Sequence, residues 1–517
     1  METKFFSHSS LEEKREIRDT KKELLKGQEE ILMQAVNEVA RAIQEIEPNP
    51  DYAPVVPQAV IVGGFVRDAL IGKKPKDADV EVYGVAPDVL KELLEKMFQN
   101  VKPVGEAFGI LKVALGNGLE LDVSIPRRDS KTGKGHSDFA VDSNPSLDIT
   151  EAARRRDFTM NALAMDPLTG VIFDPFGGLE DIKARRLCVT DVERFQDDPL
   201  RVLRAVQFVA RLGLDVETQT WNLLREMVDR GDLLELKKNR VTEEWEKLFL
   251  KSERPSVGLK MMRDLGMIEK HQPELQALID TPQEFEWHPE GDVWTHTLMV
   301  VDAAAKLIRQ PERNFSDDEA VQVMLGALCH DLGKPATTKM TGGRIRSIGH
   351  EEAGEDPACA FMDQFTFSKK YVTRGVIAVT KEHLKPGVFF REVELGRMKK
   401  SSYVNAVRKL LRHIYPVSWR VLLAVCEADY RGRAIPGVEK DPYKPGLFFA
   451  DAVNHYRLNE AVMTPLLQGR DLIEIFHMSP GTNIGVWIRR VEAERDLGHI
   501  QTKEEAFAWI KSEWEKE

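Results

Sequence analysis

The chain has 517 residues, 42% hydrophobic and 30% charged, with a net charge of −11. That length exceeds one ordinary core, and the composition is that of several soluble, ordered domains rather than a disordered chain. No apolar run approaches a bilayer span, and the acidic balance excludes a protein coated in basic surface, although a local basic face can still steer a polyanion.

The first residues, with Glu2, Lys4 and the charged run Glu12 to Arg15, lack the apolar stretch of a signal peptide, so the expected compartment is the cytoplasm. Up to about residue 50 the pattern is helical. Leu32, Val36, Val39, Ile43 and Ile46 draw one apolar stripe before Glu47-Pro48-Asn49-Pro50 breaks it. This extension (1–50) reads as a packing or dimerising helix.

From about 57 to 175 short β-branched runs appear: Ala59 to Val62, Ala78 to Tyr83, Ile110 to Leu115 and Leu119 to Ile125. Helical segments separate them, which gives an α+β module. Beyond about 180 helical periodicity dominates. Ser479-Pro480-Gly481 marks a late loop, and Thr502 with Glu505 reads as a capping box. The cysteines Cys188, Cys329, Cys359 and Cys426 are scattered without a CxxC pair and read as reduced core residues. Arg154-Arg155-Arg156 and the stretch Arg391, Lys399, Lys400, Arg408, Lys409 and Arg412 are basic segments that suit RNA or simply face solvent.

Gly63-Gly64 follows a predicted strand and opens a helix. Glycines there let a backbone approach a phosphate, and the helix start offers free N–H groups. Arg67, one turn in, adds a guanidinium to the same anion. Downstream, Asp77 and Asp79 sit two apart on a strand and so share a face. Such a pair suits Mg²⁺, which takes one or two carboxylates with substrate phosphates. In isolation it also reads as an edge-strand pair facing water.

Together, Gly63-Gly64-x-x-Arg67-Asp68, Gly72 and Asp77-x-Asp79 resemble the signature of polymerase-β-like nucleotidyltransferases, of the class with bacterial CCA-adding enzymes and poly(A) polymerases. Asp122, on a later strand, completes the metal site or serves a structural or RNA-facing role. Arg155 to Ala162 resembles the family's ribose and phosphate segment, which implies Arg156 on the triphosphate and Asp157 and Asn161 on the sugar. Asp174-Pro175-Phe176-Gly177-Gly178 follows in place. Asp197 to Arg204 resembles the nucleotide-selecting helix, with Asp198 and Arg201 presenting hydrogen-bond edges to the base and Arg204 supporting phosphates. Asp197 stands where the family usually has Glu. The resemblance spans roughly residues 57 to 270.

A second constellation is His296, His330-Asp331 before Gly333, then His350, His383 and Asp429. An unpaired buried Asp is costly, and a metal would satisfy it, with imidazole and carboxylate suiting Mn, Fe, Ni, Zn or Mg. The order H…HD…D resembles the HD phosphohydrolase superfamily, which implies His296, His330, Asp331 and Asp429 as ligands. His350 and His383 match further histidines that line the pocket or hold a second metal. Trp287 to Thr297 and Glu427 to Arg433 look like the HD domains fused to CCA-adding enzymes. Such domains cleave phosphomonoesters, including 2′-phosphates and 2′,3′-cyclic phosphates, with metal-activated water as nucleophile.

The expected architecture is therefore a nucleotidyltransferase head on a small mixed sheet (51–180), a helical neck and body (181–280), an all-α HD domain (281–435) and a helical C-terminal segment (436–517). The expected function is addition of CCA to tRNA 3′ ends from CTP and ATP, with Mg²⁺ in the head and Mg²⁺, Mn²⁺ or Ni²⁺ in the HD domain. The competing readings are a poly(A) polymerase, a CC- or A-adding enzyme, or an HD hydrolase with an inactive RNA-binding head. A homodimer is a further expectation.

Overall fold

The computed structural model describes residues 28–74, 77–104, 109–116, 118–131, 139–438, 440–458, 465–479, 481–496, 499–500 and 502–514. Residues 1–27, Lys76 of the aspartate motif and Pro480 of the late loop lie outside them. The chain divides after Arg240 into two compact units, inside the segment that the sequence reads as one helical neck and body.

In the first unit the apolar stripe at the N-terminus forms α1 (Gln28–Gln44). Leu32, Val36, Val39 and Ile43 are fully buried in the unit's own core, so the stripe packs within the chain. Burying each such side chain is worth about 1.5–3 kcal/mol, which outweighs its ordering cost.

The sheet comprises β1 (Gln58–Val62), β2 (Ala78–Tyr83), β3 (Val101–Val104), β4 (Ile110–Gly116), β5 (Leu119–Ser124), β8 (Ala164–Met165) and β9 (Ile172–Phe173), in the order β3-β4-β5-β2-β1-β8-β9. A separate hairpin pairs β6 (Arg127–Lys131) with β7 (Phe139–Ser143). Within this sheet β2 and β5 are the parallel pair among the described residues, with Asp79 opposite Asp122, while Val62 of antiparallel β1 also faces Asp79.

Strand alternation then divides the sheet's two sides. Ala78, Val80 and Val82 join Leu121, Val123 and α1 in the main core. Asp79, Glu81 and Tyr83 fall on the opposite side, where Tyr83 packs with Val60, Val62 and Ala152. The helix α2 (Gly64–Leu70) follows β1 directly.

Later in this unit α3 (Leu200–Leu212) buries Val202, Leu203, Val206 and Phe208 and stops at Gly213, which adopts φ 63°. Phe158 meets the Phe195 and Phe208 rings edge-on at 5.5 and 5.9 Å, which seats α3 against the Arg155–Asn161 segment.

The second unit is helical apart from the hairpin β10 (Lys339–Thr341) with β11 (Arg344–Arg346) among the described residues. Its principal helices are α4 (Val293–Ile308), α5 (Asp317–Cys329), α6 (Arg374–Glu382) and α7 (Trp419–Arg431). Asp292 caps α4 by accepting from Thr295 N, and Ser316 with Glu319 forms a capping box on α5. The Thr502–Glu505 box is present and opens Lys503–Trp514, whose Ala506 and Ile510 pack with Leu472, Trp487 and Val491. All four cysteines are free, with Cys329 and Cys426 buried and Cys188 and Cys359 half-buried. No helix among the described residues is long and apolar enough to cross a membrane.

Candidate active sites

One cleft of the first unit, about 300 Å³, is lined by Gly63, Gly64, Arg67, Asp79, Arg156, Asp157, Asn161, Asp198, Arg201, Arg204 and Arg240. Distant segments of sequence converge there for local reasons. Gly63 adopts φ +70°, and a Cβ on it would lie 2.8 Å from Arg156 Nη1, so only glycine lets that guanidinium reach the cleft floor. The Arg67 side chain is buried, donates to Asn161 Oδ1 at 2.6 Å and pairs with Asp68 at 2.6 Å. Asn161 in turn donates to Asp157 Oδ1 at 2.9 Å, and Asp157 Oδ2 accepts from Arg204 Nε at 2.7 Å. Arg67 and Arg204 both lie over the Phe208 ring, 5.0 and 5.4 Å from its centroid.

Burial alone would raise the Asp157 carboxyl; Arg204 and the Asn161 amide outweigh it and hold the group below its ordinary value. Arg201 donates to the carbonyls of Arg155 at 2.6 Å and Arg194 at 2.7 Å, and its burial lowers its pKa. Asp198 accepts from Leu200 N at 3.1 Å at the head of α3, and Asp197 acts on Arg201 through its charge.

Asp77 lies exposed immediately before β2 and outside the residues lining this cleft, yet its charge acts on both Asp79 and Asp122. Desolvation, and then the neighbouring carboxylates against the pull of Arg156, raises Asp79 above its ordinary value. Asp79 also lines an adjoining cleft of about 180 Å³ with Glu81, Asp122, Arg127, Arg155 and Arg156. Asp122 sits 3.8 Å from Lys112, and its Oδ1 is buried without a hydrogen-bond partner. Converging carboxylates with a raised pKa and an orphaned oxygen fit a divalent cation.

Two residues here went unread in the sequence. Glu81 is 2% exposed and accepts from Arg155 at 2.6 Å, Arg156 at 3.2 Å and the Tyr83 hydroxyl at 2.8 Å. Burial would raise it, but Arg156 and Arg155 hold it below the usual range. Its signal was its position two residues past Asp79 on the same strand face. Arg240, the last residue of the unit, carried no signal.

In the second unit, His296 of α4, His330 and Asp331 after α5, His383 after α6 and Asp429 of α7 are all buried, as is His350. Gly333 makes this possible, because a Cβ there would stand 2.0 Å from the His350 carbonyl oxygen. The Nδ1 atoms of His330, His350 and His383 lie 2.8, 2.8 and 2.9 Å from the carbonyls of Ala327, Ser347 and Thr380. A carbonyl only accepts, so each Nδ1 carries a proton, and in the neutral ring that a metal requires Nε2 offers a lone pair.

Those lone pairs converge. His350 Nε2 is 3.4 Å from His383 Nε2 and 3.4 Å from Asp331 Oδ1, while His296 Nε2 is 3.1 Å from Asp429 and 3.8 Å from Asp331. His330 Nε2 and Asp331 Oδ1 are buried without hydrogen-bond partners. Facing lone pairs repel unless a cation lies between them, and the ligand atoms group within 4.8 Å as His296-His330-Asp331 and Asp331-His350-His383. The residues fit divalent metal, with Asp331 common to two positions.

Burial raises Asp331 and Asp429, but His330 and Lys334 outweigh it at the first and Arg433 and His296 at the second, so both lie well below the ordinary range. Burial, with His330 and His350 alongside, pushes His383 down to about 3. Glu290 was also missed: its Oε1 lies 2.7 Å from His296 Nδ1 and 3.0 Å from His288 Nδ1, and Oε2 accepts from Ala434 N. The group opens on a cleft of about 250 Å³ that Trp287, Lys334 and Arg433 also line.

Of the two basic segments, Arg154 is paired with Glu151 and Asp191, and Arg412 with Glu492, while Arg391, Lys399, Lys400 and Lys409 are exposed.

Three segments of the chain match known protein families. Residues 59–188 match the poly A polymerase head domain, 213–279 the probable RNA and SrmB-binding site of polymerase A, and 293–409 the HD domain. The fold resembles a Bacillus stearothermophilus CCA-adding enzyme in complex with CTP (TM-score 0.56, 19% identity, 94% of this chain and 98% of that one). It also resembles the Thermotoga maritima CCA-adding enzyme complexed with tRNA (TM-score 0.52, 19% identity, 96% and 98%). A multifunctional CCA protein of Xanthomonas campestris is 35% identical over 390 residues, 75% of this chain and 87% of the relative. With that identity over that share of both chains, this protein belongs to the family of multifunctional CCA proteins.

Proposed function

We propose that the first unit adds CCA to tRNA 3′ ends from CTP and ATP with release of pyrophosphate, and that the second hydrolyses phosphate esters at a divalent-metal centre. The observation that carries the first reading is the convergence of Gly63, Gly64, Arg67, Asp79, Arg156, Asp157, Asn161, Asp198, Arg201 and Arg204 on one cleft. Arg67, Arg156 and Arg204 supply charge for a triphosphate, each oriented by a hydrogen-bonded carboxylate or amide. Asp198 and Arg201, at the start of α3 and lining the same cleft, would present hydrogen-bond edges to the base. Asp77 and Asp79 would hold Mg²⁺, which when bound would polarise the α-phosphate and acidify the primer hydroxyl. The primer 3′-oxygen bonds to the α-phosphorus as the α–β P–O bond breaks, and the proton leaves to solvent. The relatives' name favours CCA over poly(A) addition.

In the second unit His296, His330 and Asp331, with Asp429 beside His296, would hold Mg²⁺, Mn²⁺ or Ni²⁺, and His350 and His383 would serve the adjoining position. A bound ion would supply Lewis acidity and an activated water there. The surrounding residues fix ring orientation, and Lys334 and Arg433 draw a phosphate into the cleft. The expected substrates are 2′-phosphates and 2′,3′-cyclic phosphates.

The test offers tRNA ending before CCA, with CTP and ATP, and sequences the products. Products ending in CCA support the reading. Adenylate tracts, or products ending in CC alone, replace it with a partial or poly(A) activity.

A further inference from the structure

We propose that the mouth of the second unit's metal cleft binds the unpaired base of an RNA 3′-terminal nucleotide by stacking on Trp287, with the nucleotide's phosphate lying toward Lys334 and Arg433. The proposal rests on the reading of this cleft as a phosphoesterase and specifies what it selects.

Trp287 lines the cleft and is 51% exposed. Among the described residues its indole has no aromatic or cationic ring contact, whereas Trp514, 41% exposed, stacks on Trp487 and Phe476 at 5.9 Å. A scattered apolar side chain on a surface needs no explanation. A tryptophan lining a charged cleft is different, because the same cleft is lined by the groups that would hold a phosphate.

The lip is also preorganised. Trp287 N donates to Glu284 O at 3.1 Å, closing a tight turn, and Glu284 Oε2 accepts from Ile345 N at 2.9 Å, tying that turn to β11. Lys334 is fixed as well, donating to Gln283 Oε1 at 2.7 Å and pairing with Asp331 Oδ2 at 2.7 Å. On the hairpin, Lys339 and Arg346 are exposed, and Arg344 pairs with Glu286 at 3.1 Å. A planar apolar surface, two cations at the cleft floor and further cations on the flanking hairpin together match a nucleotide at the end of a polyanion. An apolar peptide would not use the cations, and a bare sugar phosphate would not use the indole.

The test measures binding of cytidine 2′-monophosphate and glycerol 2-phosphate by calorimetry to wild type, Trp287→Ala and Trp287→Phe. CTP binding, which reports the first unit, is the control, and thermal melts confirm the fold. Loss of one stacked base predicts about tenfold weaker cytidine 2′-monophosphate binding in Trp287→Ala, with Trp287→Phe within about threefold of wild type. Glycerol 2-phosphate and CTP should bind all three proteins alike. Unchanged nucleotide affinity in Trp287→Ala, or equal losses for both phosphates, overturns the proposal. Hydrolysis assayed alongside separates the two readings: Trp287-dependent nucleotide binding without hydrolysis sinks the phosphoesterase reading and keeps the stacking. Hydrolysis of both phosphates with no dependence on Trp287 does the reverse.

Discussion

Asp157 Oδ2 accepts from Arg204 Nε at 2.7 Å, so a residue expected from the sequence to hold the sugar also anchors an arginine of the nucleotide cleft. Its other oxygen takes the Asn161 amide, whose carbonyl takes Arg67. The four side chains form one line in which two carriers of positive charge are held by a shared buried carboxylate and amide. Groups coupled in this way respond to substitution as a set. Asp157→Asn and Arg204→Ala are each expected to lower kcat/KM for nucleotide addition by about tenfold or more, and the double variant should fall short of the summed loss by about 0.5–3 kcal/mol. Steady-state addition assays on the four proteins check this, and strict additivity would separate the two residues.

The same carboxylate gives a pH prediction. Asp157 titrates below its ordinary 3.8 in the folded state. Its contribution to stability is therefore complete above about pH 4 and is lost as the pH falls through the folded value, where both states are protonated. The stability difference between wild type and Asp157→Asn should be constant from about pH 5 to 7 and shrink below about pH 4. Denaturant unfolding of both proteins across that range measures it, and a difference that grew on acidification would reverse the sign.

Base choice tests the start of α3. Arg201 is held by two backbone carbonyls, which fix its plane beside Asp198. Removing one partner of a buried recognition edge costs about 1–3 kcal/mol, roughly tenfold in discrimination. Arg201→Ala should therefore relax selection of CTP and ATP over UTP and GTP. A uniform rate loss with discrimination intact would leave Arg201 as a phosphate contact.

Most of these positions were legible because their chemistry is carried by short motifs of fixed spacing. Gly63-Gly64, Asp79 and His330-Asp331 each mark a turn or a strand face whose neighbours follow from local geometry, whereas Asp77, expected to share the face of Asp79, lies exposed just before β2 and outside the cleft lining. The strands Ala59 to Val62, Ala78 to Tyr83, Ile110 to Leu115 and Leu119 to Ile125 showed as β-branched runs and lie in β1, β2, β4 and β5. β8 and β9 are two residues each, too short for any period to register, and β6 (Arg-Arg-Asp-Ser-Lys) carries no apolar residue. Glu81 was hidden because an acidic residue in a strand reads as solvent-facing, and only the fold brings Arg155 and Arg156 onto it. Glu290 and Trp287 lie inside the Trp287 to Thr297 motif, but their roles depend on which partners the fold supplies.

Glu290 gives a test of the metal centre from outside the predicted ligand set. It sets the tautomer of His296 by accepting from Nδ1 at 2.7 Å. Loss of such an outer partner typically costs 10–100-fold in metal affinity or activity. Glu290→Gln should weaken metal binding by about that factor, read by calorimetric titration with Mn²⁺ or Ni²⁺, while CTP binding stays unchanged. Wild-type metal affinity in a folded Glu290→Gln protein would remove Glu290 from the site.

The claim that the protein carries two independent active sites is tested most directly by crossing variants and reactions. Asp79→Ala and Asp331→Ala are each assayed for nucleotide addition to tRNA lacking CCA and for hydrolysis of 2′,3′-cyclic and 2′-phosphorylated substrates, with melts to exclude unfolding. Coordination energy is local, so losing one ligand should disable its own centre alone. The expected result is that Asp79→Ala loses addition and keeps hydrolysis, while Asp331→Ala does the opposite. A folded Asp331→Ala protein that failed at both reactions would contradict the two-site account.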